Sequence, residues 1–305
     1  MKTRLTFLTA LLIGFLSSAQ TIEKFSIDSG GASASAGGIQ ILYTIGEVNV
    51  QEYSNATLSV SEGFINPQQL IIKIDPKIFL EGPYNTAGTM LDGLRNSSLL
   101  PTTSPYIDAK TCAQSIFDVT GNNAIIDWVW LEIRDSSDGI TVITSTSALL
   151  QANGNVVDVD GVSALTLNIP ASNYYVVLAH RNHLGIRSAN TISLTGGTQS
   201  IDLTGDSALI AGGANAITNL GDGNFALSLG DFDGNGQVQN SDLTGMLPSL
   251  GISSYSFADL DMNAQVQNTD ISVLLPNLGL GSQAGRSENT KPIPIIIAPR
   301  RKLTN

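Results

Sequence analysis

The chain has 305 residues, of which 42% are hydrophobic and only 13% charged. That length accommodates two or three small domains with cores of their own. A formal net charge of −11 argues against nucleic acid and against polyanionic membrane surfaces as partners, because both need a basic face.

The opening MKTRLTFLTALLIGFLSSAQ has the pattern of a secretory signal peptide over residues 1–19. Lys2 and Arg4 make a basic start, and the apolar core from Leu5 to Leu16 falls short of the roughly 20 residues that span a bilayer. Ser17, Ser18 and Ala19 supply small residues for cleavage before Gln20. A secreted or extracellular product is expected, nearer −13 in charge once Lys2 and Arg4 are removed. No later segment reads as a transmembrane span. Cys112 is the single cysteine, so no internal disulfide is expected and stability falls to packing and metal.

Residues 20–70 read as an N-terminal β segment. SGGASASAGG is a flexible or tight-turning lead-in, and Ile41, Tyr43 and Ile45, then Val48 and Val50, then Leu58 and Val60 alternate as short strands do. Residues 71–110 suggest a strand broken at Pro76, then an irregular loop with one helical turn from Met90 to Leu94. Residues 111–205 carry the clearest signal. Runs such as AIIDWVWLEIRD and ALTLNIPASNYYVVLAHRNHLG, separated by Asp-Gly, Asn-Gly and Gly-Gly, predict an antiparallel β-sandwich. On the first of these strands Val129, Leu131 and Ile133 face one way, and Trp128, Trp130, Glu132 and Arg134 the other. Two outward indoles would make Trp128 and Trp130 a carbohydrate-stacking platform; a second packed layer under a loop or helix is the competing reading. Residues 206–229 read as a Gly/Ala/Asn-rich linker, and 282–305 as a disordered tail.

The chemistry concentrates in 230–281. DFDGNGQVQNSD begins at Asp231 and DLDMNAQVQNTD at Asp259, 28 residues later. Asp231, Asp233, Asn235, Gln237, Gln239 and Asp242 occupy positions 1, 3, 5, 7, 9 and 12 of a loop, and Asp259, Asp261, Asn263, Gln265, Gln267 and Asp270 do the same. This is the spacing of an EF-hand-type calcium loop, which turns alternate side chains inward to give a hard cation six to eight oxygens. Position 7 donates its carbonyl and position 9 often acts through water. Position 6 needs positive φ, which suits Gly236 but not Ala264. The mismatch costs roughly 1–2 kcal/mol, so two Ca²⁺ sites are expected, the second about five- to thirty-fold weaker. Val238 and Val266 at position 8 are expected to pack the loops together. Each loop leads into a short helix, capped by Asn240 or Ser241 and by Asn268 or Thr269. The helices present Leu243, Met246, Leu247 and Leu250, and Ile271, Leu274, Leu275 and Leu278, as apolar faces, and Pro248 and Pro276 end them early.

A duplicated loop with only its exiting helix resembles a type I dockerin. That resemblance implies a cohesin-like partner, but the prolines shorten the helices that would grip one. A calcium-stabilised interaction or spacer module is the expectation. TIGEVNV, SEGFINPQQ, IFLEGPYN, IIDWVWLEIRD and YYVVLAHRNHLG further resemble secreted, haemagglutinin-like surface proteins of Bacteroidetes. This implies export and a modular β architecture with no established chemistry. The residues after 281 leave no room for the sorting domain that many such proteins carry, which counts against surface attachment by that route.

Catalytic patterns are weak. GDSAL at Gly205 resembles an esterase nucleophile block, but His180 and His183 both precede it. His180 and His183 in HRNH would point to opposite faces of a strand end, so a hydrogen-bonded hairpin corner is expected rather than a metal pair. Glu81, Glu132, Asp158 and Asp160 are available for glycoside hydrolysis, yet nothing pairs them. The expectation is a mainly β, non-catalytic, secreted protein for adhesion or recognition of a polysaccharide or protein on a surface. A polysaccharide-degrading enzyme, or an accessory protein of such a system, is the alternative.

Overall fold

Period-two alternation makes strands where it is expected, and also in the small-residue lead-in. The computed structural model describes residues 31–36, 39–44, 51–54, 59–62, 71–85 and 88–284. The chain divides into two compact units, Met1–Gln69 and Leu70–Asn305. The expected signal peptide, Ile45, Val48, Val50 and Leu58, and residues 285–305 of the expected 282–305 tail lie outside the described residues; its first part is corrected, since Ala284 is buried and Ser282 Oγ donates to the Gly185 carbonyl.

In the first unit, β1 (Gly31–Ala36) pairs antiparallel with β2 (Ile39–Thr44), and β3 (Gln51–Ser54) with β4 (Ser59–Glu62). The lead-in expectation is corrected here. Ser and Ala alternate through 32–36, and Gly31 to Ala36 register against Thr44 to Ile39.

The second unit opens with β5 (Ile72–Lys77). The strand is not broken at Pro76. Its antiparallel neighbour covers only Ile72 to Ile74, so one side is open where proline lacks its N–H. A small hairpin, β6 (Tyr84–Asn85) and β7 (Thr89–Met90), leads to one helical turn, α1 (Gly93–Asn96), three residues later than expected. Then come β8 (Ile125–Asp135), β9 (Val142–Gln151), β10 (Val156–Val157), β11 (Leu165–Leu167), β12 (Ser172–His180), β13 (His183–Arg187), β14 (Ile192–Leu194) and β15 (Gly197–Asp202). Strands β10-β9-β8-β12-β13 form one antiparallel sheet, with β14 beside the start of β12. The second sheet is β11-β5-β15, in which β15 runs parallel to β5. The fold class is mainly β, as expected, with this one parallel pair added.

Both faces of β8 are buried. Val129, Leu131 and Ile133 join Ile72 and Ile74 of β5 in the main core. On the other face Trp128 and Trp130 are 0% and 1% exposed. Trp128 Nε1 donates to the Pro101 carbonyl at 2.8 Å, and Trp130 stacks on Tyr106 with ring centroids 5.5 Å apart. The stacking platform for sugars is therefore withdrawn. The loop through Pro101 and Tyr106 covers both indoles, and burying about 200 Å² of each is worth more than exposing it.

Residues 206–229 do not form a free linker. They contain β16 (Ile217–Asn219) and β17 (Phe225–Leu227), and Ile217, Ala226 and Leu227 are core residues. Two short helices follow, α2 (Asn240–Met246) and α3 (Asn268–Leu274). Each continues as a 3-10 turn containing the proline, so Pro248 and Pro276 end the helices as expected. The caps sit one residue earlier than expected, at Gln239 and Gln267. Of the expected apolar helix faces, Met246 and Leu274 are buried while Leu247, Leu250, Leu275 and Leu278 are exposed.

Candidate metal centre

Each loop closes around its own carboxylates. Asp231, Asp233 and Asp242 bring one oxygen apiece within 4.8 Å of one another, and Asp259, Asp261 and Asp270 do the same. Backbone N–H groups set the loop shape. In the first loop Gly236 N–H donates to Asp231 Oδ2 at 3.0 Å, and Asp233 N–H to Asp242 Oδ1 at 3.0 Å. In the second, Ala264 N–H donates to Asp259 Oδ2 at 2.9 Å, and Leu260 N–H to Asp270 Oδ1 at 2.7 Å. Asp242 and Asp270 also accept from the N–H groups of Gln239 and Gln267, both at 2.8 Å, so position 12 joins the loop to its helix start. Asn235 and Asn263 Oδ1 accept from the N–H groups of Gln237 and Gln265, which places positions 5 and 7 side by side.

The donor set fits a cation. Asp231 Oδ1 is buried without a hydrogen-bond partner. Burial, reinforced by the charges of Asp242 and Asp233, raises the Asp231 carboxyl to about 7. Burial also raises Asp259 to about 7, with Asp270 and Asp261 adding to the rise and Arg181 opposing it. Asp242 and Asp261 are raised as well, chiefly by burial. Carboxylates crowded this way are stabilised by an ion of opposite charge. The ligand atoms are all oxygen, which selects hard cations over zinc or copper.

The repeats interlock. Val238 N–H donates to Leu280 O and Gly279 N–H to Val238 O, while Val266 N–H donates to Ile252 O and Gly251 N–H to Val266 O. The position 8 residue of each repeat thus pairs with the segment leaving the other repeat's helix. Val238, Val266, Met246 and Leu274 share one buried cluster with Leu184 of β13.

The loops differ in backbone strain. Gly234 and Gly236 take the positive φ angles of the first loop; in the second, Met262 and Ala264 take them, at +58° and +76°. Ala264→Gly should relieve this strain and raise stability by about 1 kcal/mol, read from the denaturation midpoint in saturating metal. A neutral or destabilising result would mean that packing around the Ala264 methyl outweighs the strain.

Sequence reasoning missed the seat of the second loop. Asp127 of β8 is fully buried and accepts from Arg181 Nε at 2.7 Å, His180 Nε2 at 3.1 Å and Tyr255 Oη at 2.7 Å. Arg181 holds its carboxyl down at about 2 against the effect of burial. Arg181 also donates to the Ser256 carbonyl and lies 4.5 Å over the Tyr255 ring. Asn182 Nδ2 donates to the carbonyls of Phe257 and Asp259 at 3.0 and 2.9 Å. HRNH is the hairpin corner expected, but its histidines do not diverge: Nδ1 of His180 lies 2.9 Å from Nδ1 of His183. The register shift near the end of β12 brings both rings to one side. One signal was legible, a lone aspartate inside the apolar run AIIDWVWL.

Other contacts hold the loop pair, Glu81 at the segments before the first loop and after the second helix, and Gly82 and Gly93 at the second loop. Glu81 Oε2 accepts from Asn277 Nδ2 at 2.6 Å and from Leu229 N–H at 3.0 Å. A Cβ on Gly82 would lie 1.9 Å from the Leu260 carbonyl oxygen, and one on Gly93 2.4 Å from that of Met262. Gly82→Ala and Gly93→Ala should each cost about 1–3 kcal/mol. They should weaken metal binding at the second loop and leave the first within twofold; equal loss at both loops would contradict this seating.

The remaining carboxylates are engaged separately. Glu132 pairs with Arg134 at 2.7 Å, Asp158 with Lys110 at 2.7 Å, and Asp160 accepts from Ser163.

No protein-family model matches the chain, and no curated protein matches it. Solved structures similar to it include a C-terminal interface mutant of a type II Cohesin-X-Dockerin complex from Acetivibrio cellulolyticus, at 14% identity and TM-score 0.34, covering 70% of this chain and 99% of that one. An N-terminal interface mutant of that type of complex, from the same organism, is similar at 16% identity and TM-score 0.29, covering 70% and 97%. No functional statement follows from likeness at this level. Among the described residues no helix is long and apolar enough to cross a membrane.

Proposed function

We propose that the chain is an exported, non-catalytic recognition protein in which two calcium ions hold an interlocked loop pair against a β-sandwich. The two aspartate triads, with the orphaned and buried Asp231 Oδ1, are the observation that carries this reading. Twelve-residue spacing with side-chain and carbonyl oxygens suits the larger, more flexible shell of Ca²⁺ better than the strict octahedron of Mg²⁺. Asp231, Asp233, Asn235, Gln237 and Asp242 would hold one ion, and Asp259, Asp261, Asn263, Gln265 and Asp270 the other. The second site is the weaker, because Arg181 places a cation near Asp259 and Ala264 is strained.

Recognition is supported by the outward helix faces. Leu247, Leu250, Ile252, Leu275 and Leu278 are 39–48% exposed, and the four leucines fall at equivalent places in the two repeats. Apolar residues clustered this way suit a protein partner. A polysaccharide partner loses its support from the tryptophans.

Calcium calorimetry on the full chain tests the reading. Two sites of unequal affinity are expected, the tighter lost in Asp231→Ala and the weaker in Asp259→Ala. Absence of binding heat in the wild type would overturn it. Affinity should also depend on pH. Asp231 and Asp259 sit at about 7 and must be deprotonated to bind, so affinity falls as pH drops from 8 to 6. Below pH 7, binding should release about one proton per ion, measurable in buffers of different ionisation enthalpy. A pH-independent affinity would contradict the crowding of these carboxylates.

A further inference from the structure

The chain contains two Asn-Gly pairs, Asn153–Gly154 and Asn235–Gly236. Asparagine before glycine is where the carboxamide carbon meets least hindrance from the next backbone nitrogen, because glycine has no Cβ. Both pairs are clamped by hydrogen bonds. Asn153 Oδ1 accepts from Asn155 N–H at 3.0 Å, and Gly154 N–H donates to the Gln151 carbonyl at 2.9 Å. Asn235 Oδ1 accepts from Gln237 N–H at 2.9 Å, its Nδ2 donates to Asp233 Oδ2 at 2.9 Å, and Gly236 N–H donates to Asp231 Oδ2 at 3.0 Å. For Cγ to swing onto the glycine nitrogen, the carboxamide must give up these bonds and the glycine N–H must be free to lose its proton.

The clamps differ in what holds them. Asn153–Gly154 joins β9 to β10 against the main core. Ile78 N–H donates to the Gly154 carbonyl at 2.9 Å, and a Cβ on Gly154 would lie 2.7 Å from the Ile78 carbonyl oxygen and 2.9 Å from the Phe79 ring. The Asn235 clamp is built instead on Asp231 and Asp233, two of three carboxylates crowded within 4.8 Å. Without a cation their mutual repulsion favours opening of the loop. Asn235 is only half-buried, within reach of water.

We propose that Asn235 is a deamidation site protected by the calcium of the first loop, so that withdrawal of the ion leads to irreversible loss of that site. In the opened loop hydroxide takes the Gly236 amide proton and the nitrogen attacks Asn235 Cγ. The Cγ–Nδ2 bond breaks as ammonia leaves with a proton from water, which returns the hydroxide. Water then opens the cyclic imide at either carbonyl. One product is aspartate at 235. The other is isoaspartate, which lengthens the backbone by one methylene and draws Gly236 N–H away from Asp231. The second loop resists this course, because Asn263 precedes Ala264, whose methyl hinders the attack. Strain at Ala264 is thus accompanied by chemical durability. The inference rests on the calcium reading.

The test holds the full chain at pH 8, below its unfolding transition, in calcium and in chelator, and follows amide-to-acid conversion by peptide mass spectrometry. Calcium at about a hundred times its Kd lowers the open population about a hundredfold, so conversion at Asn235 should be at least about tenfold slower in calcium than in chelator. Conversion at Asn153 should be equally slow in both. When calcium is returned after chelator, calorimetry should find the first site lost in proportion to the isoaspartate formed. A Cβ on Gly236 would meet nothing closer than Ser282 Cβ at 3.9 Å, so Gly236→Ala has room and should suppress conversion in chelator. Asn235→Ser, which has no carboxamide, should keep whatever first-site binding it starts with through chelator treatment, and it serves if the alanine variant does not fold. Equal conversion in calcium and chelator with the ion shown to bind, conversion at Asn153 matching that at Asn235, or an Asn235 unchanged in chelator would overturn the proposal. Fresh protein that binds no calcium would overturn the calcium reading and this inference with it.

Discussion

Asp259→Ala should lower the stability of the whole second unit in calcium and raise it, or leave it unchanged, in chelator. With the ion bound, Asp259 is a ligand at the heart of the seated loop. Its loss removes the free energy of binding and leaves Asp261 and Asp270 to repel. The expected cost is on the order of 3–5 kcal/mol, or a fall in Tm of about 10 °C for a unit of this size. Without the ion the sign changes. A carboxyl raised to about 7 in the fold binds protons that the unfolded chain at 3.8 does not. It therefore costs stability as pH rises from the lower value through the higher, and above pH 7 the full penalty applies. Alanine removes that penalty. Thermal denaturation of both proteins at pH 8, with calcium and with chelator, checks the crossover. A variant less stable than wild type under both conditions would show that Asp259 acts through its backbone hydrogen bonds and not through an ion.

Arg181→Ala should be the most damaging single change outside the loops. It strands the Asp127 carboxylate in a fully buried position and releases the contacts to Ser256 and Tyr255. Breaking one side of a buried ion pair costs about 3–5 kcal/mol, whereas replacing both partners with apolar groups is often close to neutral. Asp127→Leu combined with Arg181→Met should therefore recover most of the loss, though Tyr255 and His180 lose their acceptor. Urea denaturation of the three variants measures this. A double variant no better than Arg181→Ala would mean that the hydrogen bonds to the loop, rather than the unpaired charge, dominate. Acid adds a second signature. Asp127 is depressed to about 2, so its contribution is complete above the unfolded value of 3.8 and is lost as pH falls through 2.

The loops were legible because metal ligation imposes side-chain identity at fixed spacing. Asp231 and Asp259 and their partners lie within twelve residues of one another, so a linear pattern contains the site. Period-two alternation likewise revealed the strands of the large sheet. The seating of the second loop was illegible for the opposite reason. Asp127, Arg181 and Tyr255 are distant in sequence, and each alone is an ordinary polar residue. Trp128 and Trp130 show the limit of alternation: it separates two faces of a strand but does not tell whether the second is covered. Residues 206–229 misled through composition, since their glycines make the positive-φ turns around two short strands and Ala216 and Ala226 are core residues, a composition that also suits a linker.

The most direct test of the central claim, that bound calcium staples the loop pair to the sandwich, uses the two tryptophans. Both lie on β8, buried in the sandwich and covered by the loop through Pro101 and Tyr106 rather than by the calcium loops. Thermal unfolding followed by tryptophan fluorescence, in calcium and in chelator, reports on the sandwich at the strand where the second loop is seated. A tryptophan transition lowered by about 10 °C in chelator, coincident with loss of the loop pair, is the predicted result. A tryptophan transition at the same temperature in both conditions would contradict it and leave the loop pair an appendage.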